Sequence, residues 1–225
     1  MRTILVFDND GVLRDESKSY QKAISQTVFD FSDNYPSEEE LIDSMKESND
    51  DWQRTYNILN QRGINIKFDE VKEHFQDLYL GKKRDFTGYI NDEPWLIENI
   101  LLYKLSKRYE MVIVSGAPRE EIEFTLKKNY ARCFFNEIWG MHECNGKKDG
   151  LEKVIERFSP PQILFCDDRP SPLKEANTLS NVKAYGIIPP QKYKGWGKTL
   201  REAGAKKVFR KVNNYCKAIL EGRIK

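Results

Sequence analysis

The residues in this sequence with the greatest chemical capacity are acids that follow apolar runs. Val6-Phe7-Asp8-Asn9-Asp10-Gly11-Val12-Leu13 places two aspartates at i and i+2, a spacing that shares one face if the strand continues. At ~6 Å and an effective dielectric near 20 their repulsion is roughly 3 kcal/mol, so a cation is the natural relief. Gly11 lets the chain turn sharply straight afterwards. A second acid pair, Asp167-Asp168, closes the run Ile163-Leu164-Phe165-Cys166. Adjacent acids there are costly unless they are solvated or hold a metal. Between the two pairs, Ser115-Gly116 offers a hydroxyl and backbone N–H groups that could cradle an anion. Gly146-Lys147-Lys148-Asp149-Gly150 offers a lysine that could neutralise a phosphate. Each stretch also has a plainer reading: a polar strand end, a helix N-cap, a solvated surface pair. Taken singly, only the acid pairs stand out.

The elements that must position these residues are short apolar runs: Thr3–Asp8, Met111–Gly116, Gln162–Asp168, Val182–Ile188 and, weakly, Lys206–Phe209. Near-continuous Ile/Leu/Val/Phe runs are the pattern of strands buried on both faces, hence a parallel sheet. Helical patterns separate them, at Trp95–Tyr109 behind Pro94 and over residues 118–130, 149–158, 172–180 and 212–221. This alternation predicts an α/β doubly wound, Rossmann-like core. One stretch breaks it. From residue 16 to 92 the sequence shows only helix-like segments, Lys18–Phe31, Ser37–Glu47, Asp51–Arg62 and Asp69–Leu80, with a capping box signalled by Ser37 and Glu40. So long a helical block reads as an inserted all-helical subdomain, with residues 1–15 and 93–225 forming the core.

Composition sets the outer bounds. The 225 residues are 39% hydrophobic, 32% charged and 12% aromatic, which fits a globular chain rather than a disordered one. No apolar run approaches the ~20 residues of a membrane span, and Met1-Arg2 leads directly into a strand-like run, so neither a membrane nor a secreted protein is expected. Four cysteines without a C-x-x-C pair and only two histidines make a zinc site unexpected and suit a cytoplasmic location. Residues 191–225 hold eleven Lys/Arg against two Asp/Glu. Such a segment can meet nucleic acid, but the plainer expectation is a solvated outer face.

Acid pair, serine, lysine and acid pair, in that order along one parallel sheet, resemble the motifs of the haloacid dehalogenase-like hydrolase superfamily over essentially the whole chain. The resemblance implies Asp8 as nucleophile, Asp10 as general acid/base, Ser115, Gly116 and Lys147 as phosphate-binding groups, and Asp167 and Asp168 as the acidic pair of the metal site. It implies Mg2+ as cofactor, held by Asp8, Asp10 through its carbonyl, and Asp168. It also makes the helical insertion a cap of the subfamily I type. The third motif departs from the family's frequent Lys-Pro-Asp, since Lys148 stands in the proline's place; register favours Lys147 and leaves Lys148 open. An acid often found four residues beyond the fourth motif is missing, where Ser171 or Pro172 stands. Alignment of Leu173-Lys174-Glu175-Ala176-Asn177 with the family's following helix favours Asp168 as direct ligand, with Asp167 acting behind it or through water.

These features lead us to expect a Mg2+-dependent phosphatase of a small phosphorylated metabolite, phosphoglycolate-like or sugar-phosphate-like, working through an aspartyl-phosphate as monomer or homodimer. A phosphomutase of the same superfamily and a non-catalytic phosphate-binding scaffold are the alternatives. A receiver domain fits poorly: it is far shorter, and its lysine comes last. The P-loop-like Gly197-Lys198-Thr199 is rejected because Lys192 stands where that loop requires glycine. Candidates for substrate specificity are Trp52 and Arg54, within the polar segment Asn49–Arg54, and Arg14 and Arg119, which flank the first two motifs.

Overall fold

A computed structural model describes residues 3–48, 50–190 and 195–224. Six strands form one parallel sheet: β1 (Ile4–Phe7), β2 (Glu110–Val114), β3 (Glu137–Trp139), β4 (Ile163–Asp167), β5 (Val182–Ile187) and β6 (Val208–Phe209), in the order β3-β2-β1-β4-β5-β6. The chain steps outward from β1 through β2 to β3, then crosses back to place β4 on the other side of β1. That reversal makes the gap between β1 and β4 a topological switch point, where crevices open beyond the strands' carboxyl ends. Val6 lies opposite both Val112 and Phe165, and Phe7 opposite Ile113 and Cys166.

Strand parity sorts the buried residues into two cores. Leu5, Phe7, Ile113, Leu164 and Cys166 pack with α5 (Asn99–Ser106), α6 (Arg119–Lys128) and α10 (Val212–Leu220). Ile4, Val6, Val112, Val114, Ile163 and Phe165 pack with α7 (Gly146–Phe158), α8 (Pro170–Ala176) and α9 (Trp196–Glu202). Nearly every side chain in β1 and β4 is excluded from water, which is why these strands read as unbroken apolar runs. Gly150 of α7 sits so close to β2 that a Cβ there would collide with Val114 Cγ1.

The chain divides into two compact units, residues 1–15 with 94–225, and Glu16–Glu93. The second is all helical: α1 (Ser17–Ser32), α2 (Glu38–Glu47), α3 (Asp51–Gln61), α4 (Phe68–Leu80) and a 3-10 turn at Tyr89–Asp92. Helix α1 packs on α3 and α4 through Ala23, Ile24, Val28, Ile58, Leu59, Val71 and Phe75. The capping box at the start of α2 forms as its sequence indicates: the Glu40 amide donates to Ser37 Oγ and the Ser37 amide to Glu40 Oε2.

Several boundaries differ from expectation. Helix α5 begins at Asn99 rather than Trp95, because residues 95 and 96 are drawn into the loop after β1: Trp95 bridges Arg14, and the Leu96 amide donates to the Leu13 carbonyl. Strand β3 carries only one fully buried residue, Ile138, too little to register as an apolar run. Helix α8 ends at Ala176 rather than near 180, where the Asn177 amide group donates to carbonyls of Leu173 and of the loop at 203–204. Helix α9 was not anticipated at all, and it contains the rejected Gly197-Lys198-Thr199. The basic C-terminal segment is no free tail. It supplies α9, β6 and α10, burying Leu200, Phe209, Val212, Tyr215 and Ile219, while Lys206, Lys207, Arg210, Lys211 and Lys217 stay exposed. Residues 191–194 and 225 of that segment lie outside the described residues. No helix among the described residues is long and apolar enough to cross a membrane.

The tight α7–β2 contact yields a test of the fold. Gly150→Ala should push α7 off β2 and destabilise the chain by ~1–3 kcal/mol, as overpacking does. Urea unfolding followed by circular dichroism measures it; a loss under 0.3 kcal/mol would mean the interface relaxes freely.

Candidate active site

Parallel pairing of β1 with β4 carries straight into the chemistry. One residue beyond Phe7–Cys166, Asp8 comes level with Asp167, and the Asp8 amide donates to the Cys166 carbonyl at 3.0 Å. By strand parity both carboxylates leave the sheet on the side covered by α7, and the first turn of α7 holds Lys147. Its ammonium lies 2.5 Å from Asp8 Oδ1 and 3.1 Å from Asp167 Oδ2, and donates to the Val114 carbonyl at 2.9 Å. Helix α7 starts at Gly146, three residues ahead of the sequence expectation, and this early start seats Lys147. Lys148 points elsewhere; half-exposed, it lies 3.9 Å from Glu152. The structure therefore separates the two lysines.

Asp8, Asp167 and Asp168 are all buried and can bring one oxygen each within 4.8 Å of the others, the arrangement of a metal site. Asp8 Oδ1 also accepts the Asn9 amide at 2.7 Å. Asp167 Oδ1 accepts the Arg169 amide at 2.8 Å, while its buried Oδ2 has the Lys147 ammonium as charge partner at 3.1 Å. The Asp168 backbone is fixed by Trp196 Nε1, which donates to its carbonyl at 2.8 Å. Gly11, at φ +70°, passes so close that a Cβ would strike Asp168 Oδ2. Glycine is thus required there twice over, for its conformation and for the space left to the acid pair. A hard divalent cation with oxygen ligands suits such a donor set: all carboxylate, with no histidine or cysteine side chain among the three.

Charge placement gives the two aspartates of the first motif opposite character. Burial pushes the Asp8 carboxyl up to about 7, and the Asp167 and Asp10 carboxylates add to this against the Lys147 ammonium. Burial would also raise Asp10, but Arg14 and the Asn9 amide group outweigh it and hold the carboxyl below its usual range. Lys147 is held in its charged form: burial opposes this, and the Asp167 and Asp8 carboxylates overcome it. The Asp10 contacts are close, with Arg14 Nε at 2.6 Å and Asn9 Nδ2 at 2.7 Å, both on Oδ1.

Arg14 requires a correction. It was expected as a candidate contact for a substrate anion, yet its side chain is fully buried and paired to Asp10, Glu121 (3.3 Å) and Thr125 Oγ1 (3.4 Å). Such a guanidinium already has its counter-charges and no path to solvent. Ser115 is buried at the end of β2; its amide donates to the Trp139 carbonyl, and its Oγ accepts the Ala117 amide. Gly116 is exposed, with open space where a Cβ would sit. Arg119 stays on the surface, 3.9 Å from Glu123 and 4.0 Å from Glu143. In the helical unit, Trp52 lies beneath the Lys72 ammonium at 4.1 Å, and Arg54 pairs with Asp51 at 2.5 Å and Ser44 Oγ at 3.3 Å. Asn49 lies outside the described residues. Asn9, Glu121 and Trp196 were missed in the sequence. None of the three left a local signal there, because each acts on a residue distant in sequence or, for Asn9, through a side chain turned onto its neighbour.

Comparison with known proteins identifies a family and a shared fold. Residues 5–182 match the family described as haloacid dehalogenase-like hydrolase. Among solved structures, a putative β-phosphoglucomutase from Thermotoga maritima superposes with TM-score 0.76 at 19% identity, covering 97% of this chain and 99% of that one. A predicted phosphoglycolate phosphatase from Haemophilus somnus gives TM-score 0.73 at 17% identity, covering 97% and 98%. These superpositions establish a shared fold. A curated relative, the imidazoleglycerol-phosphate dehydratase of Phytophthora nicotianae, is 27% identical over 229 residues; the match takes in 91% of this chain and 49% of that protein. The chain thus spans about half the length of that relative.

The raised Asp8 carboxyl has a measurable consequence in metal-free protein. Its folded value of about 7 exceeds the unfolded 3.8, so the folded state binds the extra proton between them and stability falls as pH rises through that window. The loss is complete above about pH 7 and amounts to at most ~4 kcal/mol. In EDTA, Asp8→Asn should flatten the fall in unfolding free energy between pH 5 and 8. An identical slope in wild type and variant would show that Asp8 is not the group responsible.

Proposed function

The chain belongs to the haloacid dehalogenase-like hydrolases, and from that premise we propose that it is a Mg2+-dependent phosphatase of a small phosphorylated metabolite. The observation that carries the reading is the cluster of Asp8, Asp167 and Asp168 around Lys147 at the β1/β4 switch point. Three carboxylates and one ammonium sum to two net negative charges, the complement of one divalent cation. Asp8 and Asp168 would hold that ion together with the Asp10 carbonyl, and Asp167, occupied by Lys147 and the Arg169 amide, would act from behind. When bound, the ion supplies positive charge that keeps Asp8 ionised and screens the incoming phosphate.

Asp8 would attack phosphorus through one carboxylate oxygen and hold the cation with the other; Oδ1 already accepts Lys147 and the Asn9 amide. In the first step the Asp8–phosphorus bond forms and the bond to the leaving oxygen breaks, Asp10 giving its proton to that oxygen. In the second, water attacks phosphorus, Asp10 takes a proton from it, and the aspartyl-phosphate bond breaks to release inorganic phosphate. Ser115 and the Gly116 amide, at the end of the neighbouring strand, would hold phosphoryl oxygens. The helical unit would serve as the cap, with Trp52 and Arg54 as candidate contacts for the leaving group.

The relatives' names, with the fold, supply the substrates to test. Phosphoglycolate, sugar phosphates and phosphate esters bearing an imidazole, the last after the dehydratase relative, form the panel to assay for phosphate release with and without Mg2+. Asp8→Asn should lower turnover at least ~10³-fold while the protein stays folded, because the covalent route is lost. Lys147→Ala should lose ~10²-fold or more, and Lys148→Ala less than threefold. Retained activity in Asp8→Asn would remove the nucleophile, and Mg2+-independent turnover would remove the cation. Transfer of phosphate between positions of a sugar, with little free phosphate, would favour the phosphomutase alternative.

A further inference from the structure

Arg14 is the one chemistry-bearing group of the first motif that the proposed reaction does not use. Its backbone belongs to a tightly closed turn: the Asn9 carbonyl accepts the amides of Val12, Leu13 and Arg14, and the Gly11 amide donates back to the Arg14 carbonyl at 2.9 Å. The turn delivers the guanidinium beneath Asp10, where it is fully buried. Nε meets Asp10 Oδ1 at 2.6 Å, Nη2 meets Glu121 Oε2 at 3.3 Å, and Nη1 meets Thr125 Oγ1 at 3.4 Å. Glu121 and Thr125 lie one turn apart on the buried face of α6, the helix that follows Ser115-Gly116. The fork therefore ties the Asp10 side chain to a fixed helix.

We propose that Arg14 is a positioning residue that fixes the direction in which Asp10 passes its proton, with α6 as the anchor through Glu121 and Thr125. The inference rests on the assignment of Asp10 as the acid that serves the leaving group. Arg14 Nε and Asn9 Nδ2 both take Oδ1, so the carboxylate cannot rotate freely, and Oδ2 is the oxygen presented to the leaving group. The Asp10 side chain is about 20% exposed while Arg14 and Glu121 are closed off, so only the carboxylate end of the network faces solvent. A planar fork is needed for this, since it presents donors in three directions at once; a lysine in the same place would offer a point charge without the orientation.

The test separates positioning of a proton donor from general support of the fold. Wild type, Arg14→Met, Arg14→Lys and Asp10→Asn are compared on kcat/KM for two esters, 4-nitrophenyl phosphate, whose leaving oxygen needs little protonation, and glycerol phosphate, whose alkoxide needs a proton. Arg14→Met should lose ~30-fold or more on the alkyl ester and under fivefold on the aryl ester, a fraction of what a general acid contributes. Arg14→Lys should fall between wild type and Arg14→Met. Adding Arg14→Met to Asp10→Asn should cost nothing further on the alkyl ester, because both act through one group. The ratio between esters is internal to each preparation, so partial unfolding of a variant cancels from it. Equal losses on the two esters, or additive losses in the double variant, would overturn the inference while leaving the phosphatase reading intact. A wild type inert towards both esters and the whole substrate panel, with Mg2+ present, would overturn the phosphatase reading and this inference with it.

Discussion

Everything in the candidate site depends on one buried ammonium standing between two buried carboxylates. Lys147 reaches Asp8 and Asp167 from the first turn of α7, and removal of any partner would leave an uncompensated charge in a largely buried place. A Coulomb contact of this kind tolerates little error. The strands must run in register, the helix must begin early enough, and the helix must lie close to the sheet. Each condition has its own cause in the chain: the β1–β4 pairing, the turn at Gly146 with φ +86°, and the absence of a side chain at Gly150. The cost of assembling like charges is met by the two apolar cores that clamp the sheet from either side.

The same constraint explains the order of the strands. Acids from two strands can share a site only if those strands are neighbours, and Asp8 and Asp167 are about 160 residues apart in sequence. Placing β4 beside β1, rather than beyond β3, makes them neighbours and opens the switch point where ligands bind in such sheets. Ser115 arrives on the opposite flank of β1 through β2. The helical unit begins directly after the Asp8–Arg14 turn, at Glu16, so the insertion leaves every strand pairing of the core undisturbed.

Much of this was legible in the sequence, because buried parallel strands are unbroken apolar runs and the acids stand at their ends. The strands β1, β2, β4 and β5 announced themselves as apolar runs, β6 weakly so, and the four helices of the insertion by their helical patterns. Strand β3 did not, since three residues with one buried side chain carry no period. Helix α9 did not, because Gly197 and its charged neighbours resemble a loop until Leu200 is seen packing on the sheet. The choice between Lys147 and Lys148 was beyond any reading of residue types: a shift of one position on α7 decides which side chain faces the acids, and only the helix start fixes that phase. Arg14 was misread for a related reason. An arginine beside a catalytic motif looks like an anion contact, and nothing local reveals that Glu121, more than a hundred residues on, closes it off.

The two aspartates of the first motif, separated by one residue, show how far surroundings outweigh residue type. Asp8 lies among carboxylates in a buried pocket and is pushed towards its neutral form; Asp10, one turn of backbone further, has a guanidinium at 2.6 Å and is pushed towards its charged form. A divalent cation beside Asp8 would reverse the first tendency, and a phosphate anion approaching Asp10 would reverse the second, since added negative charge raises its hold on a proton. The resting arrangement is then the inverse of the one that the proposed reaction calls for, an ionised Asp8 to attack and a protonated Asp10 to donate. The chain's own charges around Asp8 and Asp10 thus favour protonation states opposite to those that the proposed reaction calls for.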